Sequence, residues 1–142
     1  MTFEGIDGAG KSTQARLLCE SFRREGYRVV LTREPGGTPI GERIRSLLLE
    51  CPGMDPVAEA LLMSADRRQH VKEVIGPALE SGLVVVSDRY ADSMVAYQAY
   101  GCGLELEFIR ELNLWATGGL WPDLTLILEV DAETGMRRLS EA

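Results

Sequence analysis

A short glycine-rich segment near the start of the chain limits the fold more than any other part of the sequence. Its residues are Gly5-Ile6-Asp7-Gly8-Ala9-Gly10-Lys11-Ser12, which fit the pattern G-x-x-x-x-G-K-[ST] at every position. In this pattern, glycines let backbone N–H groups turn toward a polyphosphate, the lysine reaches the outer phosphates and the serine hydroxyl binds Mg²⁺. The segment therefore predicts a phosphate-binding loop.

The residues on both sides of this loop have the character that the motif requires. Thr2-Phe3-Glu4 has the composition of a strand end, and apolar residues recur at helical spacing from Lys11 until Gly26. A helix that begins at about Gly10 directs the positive end of its dipole toward a bound anion. The alternative is a strand-to-helix turn that binds no ligand.

Strand-like and helix-like segments alternate along the rest of the chain. We expect strands over about 27–32, 83–87 and 124–130, and helices over about 11–25, 40–48, 56–80, 91–99 and 105–117. Pro77 must kink or restart the long third helix, and Asp131 is placed to cap a last helix. This order predicts one α/β domain over 1–142, with a mostly parallel sheet and helices on both faces.

Composition excludes several classes of protein. The net charge is -7, which disfavours a nucleic-acid polymer or an anionic membrane as the main partner. A membrane span needs about 18 consecutive apolar residues, and no apolar run comes close to that length. The first residues also lack the features of a signal peptide. We therefore expect a soluble, cytoplasmic protein, with Cys19, Cys51 and Cys102 as reduced thiols.

An acidic chain can still bind an anion if its basic residues gather at one cleft. The candidates at element ends or in motif-like stretches are Lys11, Arg33, Arg45, Arg67 and Arg89. The single histidine, His70, lies in a helical segment, where a packing or surface role is commoner than catalysis.

Four separated stretches are specific when they are taken together. They are Phe3 to Thr13, Thr32-Arg33-Glu34-Pro35-Gly36-Gly37-Thr38, Ala65-Asp66-Arg67, and Asp88-Arg89-Tyr90 with Ser93 and Ala96-Tyr97-Gln98. In this order they resemble the thymidylate kinase family, and the resemblance covers nearly all of the 142 residues. It implies a three-layer P-loop kinase fold, ATP-dependent phosphorylation of dTMP for dTTP biosynthesis, Mg²⁺ as cofactor, and a homodimer.

The resemblance gives the donor site to the phosphate loop. Lys11 and the loop backbone through Thr13 would bind the ATP phosphates, and Ser12 would bind Mg²⁺. Asp88, at the end of a predicted strand, matches the carboxylate that supports this metal. Capping a turn or forming an ion pair is the alternative for Asp88, because aspartates after strands commonly do so.

The resemblance also implies an acceptor site for the dTMP phosphate and sugar. Arg89 and Arg45 match arginines that hold the phosphate, for which the planar guanidinium is well suited. Arg45 could instead lie on a solvated helix face. Asp7 is similar to the loop acid that approaches the sugar 3′-hydroxyl. The implied catalytic residues are Lys11, Arg89, Asp88 and Asp7.

Base and sugar recognition falls to residues of two helices. Arg67 and Gln98 match positions that hydrogen-bond the thymine edge, where an unpaired polar group would penalise a wrong base. Tyr97 resembles the ring beneath the sugar, although a half-buried core aromatic is the alternative. Ser93 is a nearby polar contact or a local helix cap.

Two features depart from the family pattern. Met63 stands where the family commonly has a phenylalanine that stacks on thymine, and a thioether covers a base with less defined geometry. The family also continues beyond Ala142 with an arginine-bearing lid, further helix and a fifth strand. Gly8 resembles the bacterial kind, which draws its catalytic arginine from that lid. Arg137 or Arg138 could replace it in part, or lie on a helix surface.

These departures leave alternatives to an active dTMP kinase. One is a nucleotide-binding remnant that retains both sites and has little turnover. Another is a P-loop kinase that acts on a different small molecule.

Overall fold

Four parallel strands form the centre of the molecule, in a computed structural model that describes residues 1–141. The strands are β1 (Thr2–Glu4), β2 (Val29–Arg33), β3 (Val84–Asp88) and β4 (Thr125–Ile127). Their order across the sheet is β2-β3-β1-β4, and every neighbouring pair is parallel. The predicted parallel α/β fold is thereby confirmed.

Seven α-helices and two π-helical segments connect the strands within the described residues. The helices are α1 (Lys11–Arg24), α2 (Pro39–Glu50), α3 (Pro56–His70), α4 (Gly76–Glu80), α5 (Ala91–Met94), α6 (Leu106–Thr117) and α7 (Ala132–Ser140). The π-helical segments, Val71–Ile75 and Val95–Gly101, directly follow α3 and α5. Among residues 1–141, no helix has the length and apolar character needed to cross a membrane.

The two faces of the sheet bury different helices. Successive residues of a strand point to opposite faces, so Val86 packs with Ala15 and Cys19 of α1, whereas Val85 packs with Val71 and Ala78. Both valines are almost fully buried. A strand that is covered on both sides explains the continuous apolar run in this part of the sequence.

The long third helix is interrupted near Pro77, as predicted. Proline offers no N–H for the helical hydrogen bond, and the helix accommodates this by widening into the π-helical segment Val71–Ile75 before α4 begins. The last helix is also confirmed, because Asp131 Oδ1 accepts a hydrogen bond from the Thr134 N–H at 2.7 Å.

The fourth strand is shorter than predicted. We expected residues 124–130, but β4 ends at Ile127, whose side chain is 75% exposed. Leu128 N–H still donates to Glu4 O at 2.8 Å. The apolar run of the sequence therefore extends beyond the last residue of the strand, which is why the predicted strand was too long.

Parallel strands bring the loops after β1, β2 and β3 to one edge of the sheet. These loops begin with Gly5, Glu34 and Arg89, and α1 begins at the same edge. Ligands of open α/β sheets bind at this carboxyl edge, so the fold gathers the predicted phosphate-binding residues in one place.

Candidate active site

A cavity of about 700 Å³ opens at the carboxyl edge of the sheet. Its walls combine the phosphate loop with basic side chains from other elements. The lining comprises Asp7, Gly8, Ala9, Gly10, Lys11, Ser12, Thr13, Gln14, Arg33, Glu34, Arg45, Asp88, Arg89, Arg138 and Leu139.

The beginning of α1 is built to receive an anion. Gly10 precedes the helix with φ of 90°, which a residue without Cβ adopts readily. No side chain caps the helix, and its first turn has no acidic residue. The unpaired N–H groups and the helix dipole are therefore available to phosphate oxygens.

Lys11 lies against the loop that precedes it. Its ammonium group donates to Ile6 O at 2.8 Å and is 3.7 Å from Asp7 Oδ1. Burial, followed by the nearby Arg89 charge, lowers the pKa of Lys11 from its ordinary value. A phosphate that entered the cavity would add negative charge beside this buried ammonium and favour its charged form.

Helix α7 packs directly on the phosphate loop. Gly8 has φ of 79°, and a Cβ there would overlap the backbone of Gly135 in α7. One turn later, Arg138 Nη1 donates to Gly8 O at 3.2 Å. Arg138 thus reaches the cavity wall, and of the two arginines considered from the sequence only Arg138 belongs to the lining within residues 1–141.

Ser12 and Asp88 form a site that fits Mg²⁺. The Ser12 hydroxyl donates to Asp88 Oδ2, and Asp88 Oδ1 is buried without a hydrogen-bond partner among the described residues. Among residues 1–141, no group of three or more histidine, cysteine, aspartate or glutamate side chains is arranged to hold a metal ion. Mg²⁺ typically takes one or two protein ligands and completes its shell with phosphates and water, so this small donor set is sufficient.

The alternative roles for Asp88 are not found in the described residues. It forms no salt bridge there, and the residue that precedes α5 is Tyr90. The free Oδ1 atom leaves this carboxylate available to a ligand.

Arg89 is held from several sides. Its φ is 71°, the only positive value for a non-glycine residue among those described. Nη2 donates to Asp7 Oδ1 at 2.5 Å, Nη1 donates to Ser93 Oγ at 2.9 Å, and the guanidinium lies 5.2 Å from the Tyr97 ring centroid. Although burial opposes the charged form, Tyr97 and Asp7 outweigh it and raise the pKa of Arg89.

Arg45 also lines the cavity. Its Nη1 donates to Pro35 O at 3.1 Å, and the Glu34–Pro35 peptide bond is cis. Arg45 therefore does not lie on a solvated helix face. Arg33, one of the basic residues expected at the cleft, also lines the cavity. Sequence reasoning missed Glu34 as a lining residue, although it belongs to the stretch that carried the resemblance.

A buried ionic cluster supports this loop from below. Glu34 accepts from Arg67 Nε at 2.7 Å and contacts His70 Nδ1 at 2.9 Å. His70 Nε2 also contacts Thr32 Oγ1 at 2.5 Å. His70 is fully buried and outside the cavity lining, which fits the packing role and not the surface role of the two considered from the sequence.

Arg67 has protein partners for most of its donors. Besides Glu34, it donates to Asn113 Oδ1 at 2.5 Å and to Tyr90 O at 2.9 Å, and its side chain is fully buried. No Arg67 atom lines the cavity in this conformation. Base recognition by Arg67 stays a prediction.

The other residues predicted for the base and sugar are also outside the cavity lining. Met63 packs with Ala60, Met94 and Ile109 in the core between α3 and α6. Gln98 Nε2 donates to Glu59 Oε1 at 2.7 Å, whereas Gln98 Oε1 is buried without a partner among the described residues.

Ser93 and Tyr97 do not line the cavity but contact Arg89, which does. The Ser93 hydroxyl donates to Glu4 Oε2 at 2.5 Å and caps no helix, so the capping alternative is wrong. Tyr97 is 42% exposed and its hydroxyl oxygen accepts from Arg89 at 3.3 Å, which is more contact with the site than a core aromatic would make.

The phosphate loop, its position at the edge of a parallel sheet and the facing arginines define a P-loop kinase. The thymidylate kinase family model matches residues 3–142. Thymidylate kinase from Halothermothrix orenii is 52% identical over 97% of this chain and 67% of its own length, and thymidylate kinase from Synechococcus strain JA-3-3Ab is 56% identical over 97% and 68%. The chain belongs to the thymidylate kinase family.

A solved structure supports the same conclusion. The crystal structure of thymidylate kinase from Ehrlichia chaffeensis superimposes with a TM-score of 0.87, at 43% identity, over 99% of this chain and 81% of that one. The chain described here spans about two thirds of the length of the curated relatives.

Proposed function

We propose that this chain transfers the γ-phosphoryl group of ATP directly to the 5′-phosphate of dTMP, producing dTDP for dTTP biosynthesis. The observation that carries the proposal is one cavity lined by Lys11 of the phosphate loop and by Arg45 and Arg89 of other elements. Transfer between two phosphates needs several cations in one site, because like charges must be brought together. Membership of the family names the acceptor.

On the donor side, the loop from Gly5 to Thr13 would bind the ATP phosphates. Its N–H groups and the start of α1 fix the β- and γ-phosphates, while Lys11 exchanges its contact with Ile6 O for a phosphate oxygen. Arg138, which already touches Gly8 O at 3.2 Å, adds charge at the cavity wall. These groups stabilise the negative charge of the transition state without forming a covalent bond.

Ser12 and Asp88 would hold Mg²⁺ beside the phosphates. When bound, the metal would neutralise part of the charge of the phosphates. The free Asp88 Oδ1 and the Ser12 hydroxyl are the protein atoms available to it.

On the acceptor side, Arg89 and Arg45 would hold the dTMP phosphate. Arg89 is the better fixed of the two, because Asp7 and Ser93 both bind its guanidinium. Fixing the acceptor oxygen in line with the γ-phosphate lowers the entropic part of the barrier. Asp7 would also approach the sugar 3′-hydroxyl, since it already lies between Lys11 and Arg89.

The base would occupy the region of Met63, Arg67, Tyr97 and Gln98. Gln98 Oε1 is an acceptor without a partner in residues 1–141, and the N3–H of thymine is a donor of the matching kind. Both Met63 and Gln98 are less than a tenth exposed, so this region must open when the base enters.

A coupled assay of ADP release tests the acceptor. We expect turnover that depends on dTMP and falls by at least about tenfold with dCMP or dAMP, because the unmatched base leaves Gln98 unpaired. Equal rates with all monophosphates would favour a kinase of different specificity. Tight dTMP binding without any ADP release would favour the nucleotide-binding remnant.

We also propose a homodimer in the cytoplasm. Helix α3 packs between α2 and α6, and these helices expose large apolar side chains: Leu47, Leu49, Leu61, Leu114 and Trp115. Large apolar side chains exposed on neighbouring helices are what a subunit interface would cover. A solution mass of one chain by sedimentation equilibrium at micromolar concentration would contradict the dimer.

A further inference from the structure

Glu4, the last residue of β1, is a buried carboxylate to which no role has been given so far. Glu4 is only 5% exposed, and its carboxylate forms no salt bridge among the described residues. Oε1 accepts from the Tyr90 N–H at 2.7 Å, and Oε2 accepts from the Ser93 hydroxyl at 2.5 Å. Burial raises the pKa of Glu4, so the charged form is held at a cost to the fold.

The two hydrogen bonds of Glu4 bracket Arg89. Tyr90 is the next residue in the chain, and Arg89 has the left-handed φ of 71° that non-glycine residues rarely adopt. The Arg89 backbone is held further by its N–H to Phe3 O at 2.9 Å and by the Ser87 hydroxyl on Arg89 O at 2.8 Å. Glu4 thus helps to fix the backbone on which the arginine is mounted.

The second bond of Glu4 continues into the guanidinium. The Ser93 oxygen donates its proton to Glu4 and accepts from Arg89 Nη1 at 2.9 Å. A hydroxyl that donates to a carboxylate is a stronger acceptor, because hydrogen bonds in a chain polarise one another. The direction of this chain is fixed, since a carboxylate only accepts.

We infer that Glu4 is a positioning residue for Arg89. It acts through Ser93 on the guanidinium and through the Tyr90 N–H on the strained backbone, and so aligns Arg89 with the acceptor phosphate. The alignment of Arg89 with the acceptor phosphate rests on the proposed function of Arg89. The effect of Glu4 on the orientation of the guanidinium does not.

Three variants separate positioning from a merely structural role. Glu4→Gln retains an acceptor for the Tyr90 N–H but presents an amide donor to Ser93, so the Ser93 hydroxyl then faces donors from both sides and its proton loses its acceptor. Ser93→Ala removes the link and leaves the Tyr90 bond of Glu4 intact. The control is Glu20→Gln, a partly exposed carboxylate on α1 that pairs with Arg16 at 3.0 Å.

The first readout is binding of dTMP and of ATP by titration calorimetry. We expect Glu4→Gln and Ser93→Ala each to weaken dTMP binding by about tenfold, the size of a lost charge-assisted hydrogen bond. In the double variant, dTMP binding should also weaken by no more than about tenfold, because both changes break the same chain of hydrogen bonds. ATP binding should change by less than about twofold, and Glu20→Gln should match the unaltered protein.

The second readout needs no ligand. Restricted rotation of the Arg89 guanidinium, followed by ¹⁵N NMR of its side chain, should be weakened in Glu4→Gln and in Ser93→Ala, with the bond to Asp7 remaining. If the unaltered protein did not bind dTMP, the proposed function would fail and the NMR result would still decide the role of Glu4. Unchanged Arg89 dynamics and dTMP affinity in both variants, with only the melting temperature lowered, would overturn the inference. Should Glu4→Gln not fold, Ser93→Ala alone gives the same decision.

Discussion

The phosphate end and the base end of the proposed site differ in how ready they are for a ligand. At the phosphate end, Lys11, Arg45 and Arg89 line an open cavity of about 700 Å³. At the base end, Met63 and Gln98 are packed among helices and do not line that cavity. The phosphate end is therefore preformed, whereas the base end must rearrange.

This difference follows from how each end is built. The phosphate end is formed by backbone N–H groups and by residues directly after parallel strands, and the sheet fixes their positions. The base end is formed by α3 and the π-helical segment Val95–Gly101, whose side chains also fill the core between helices. A site that shares its residues with the core can open only by exchanging packing contacts for ligand contacts.

The largest effect should come from the phosphate loop. Lys11→Met keeps the length of the side chain and removes its charge, and we expect kcat/KM to fall by about 10³-fold, because an electrostatic contact in the transition state is lost. Lys72→Met, at an exposed position, is the matched control. Steady-state kinetics on both variants makes the measurement, and similar values would contradict the preformed donor site.

A smaller loss is expected at Arg89. Arg89→Lys retains the charge but removes the fork that binds Asp7 and Ser93 simultaneously. We expect kcat/KM for dTMP to fall by about 10²-fold. Arg110→Lys, an exposed arginine of α6, should have no effect. An Arg89→Lys variant with normal kinetics would show that the acceptor phosphate binds elsewhere.

Buried charge beneath the site gives a prediction on pH. Asp66 accepts from the Gly36 N–H at 2.9 Å and faces Glu34, Arg67 and His70, and burial raises its pKa to about 6. The stabilising contribution of this group is complete below its unfolded-state pKa near 4 and is lost as the pH rises through about 6.

Asp66→Asn should remove this pH dependence. At pH 7.5 we expect the free energy of unfolding to rise by about 1–2 kcal/mol, less than the full pKa shift implies, because the new amide nitrogen has no partner. The gain should disappear near pH 4. Urea unfolding at both pH values measures it, with Asp92→Asn as the exposed control. Equal effects at both pH values would contradict the assigned titration.

The smallest effect should come from the base end. Met63→Phe provides an aromatic face for thymine, and we expect dTMP to bind about threefold more tightly. The larger ring also enters a packed core, so the free energy of unfolding should fall by about 1–2 kcal/mol. Calorimetry and urea unfolding report the two effects. Unchanged or weaker dTMP binding would show that position 63 does not contact the base.

The sequence predicted those parts of the structure that depend on local chemistry. Gly10 and Lys11 placed the loop and helix, and Pro77 placed the helix interruption. The burial of Arg67 was not predictable, because its partners Glu34 and Asn113 lie 33 and 46 positions away in the chain.

Two further site residues were missed for related reasons. Glu4 lies within the recognised stretch, but only the tertiary structure shows that its carboxylate reaches Ser93, 89 positions later. Glu34 follows β2, and the position of its loop at the cavity is set by the crossover of the chain. Contacts that are distant in sequence leave no local pattern to read.

Direct transfer between two bound nucleotides is most simply tested with ATP labelled in its γ-phosphate. The protein, incubated with labelled ATP, Mg²⁺ and dTMP, should release the label as dTDP in proportion to the ADP formed, and omission of dTMP should abolish both products. Label that appeared only as inorganic phosphate, or ADP release that did not depend on dTMP, would contradict the account.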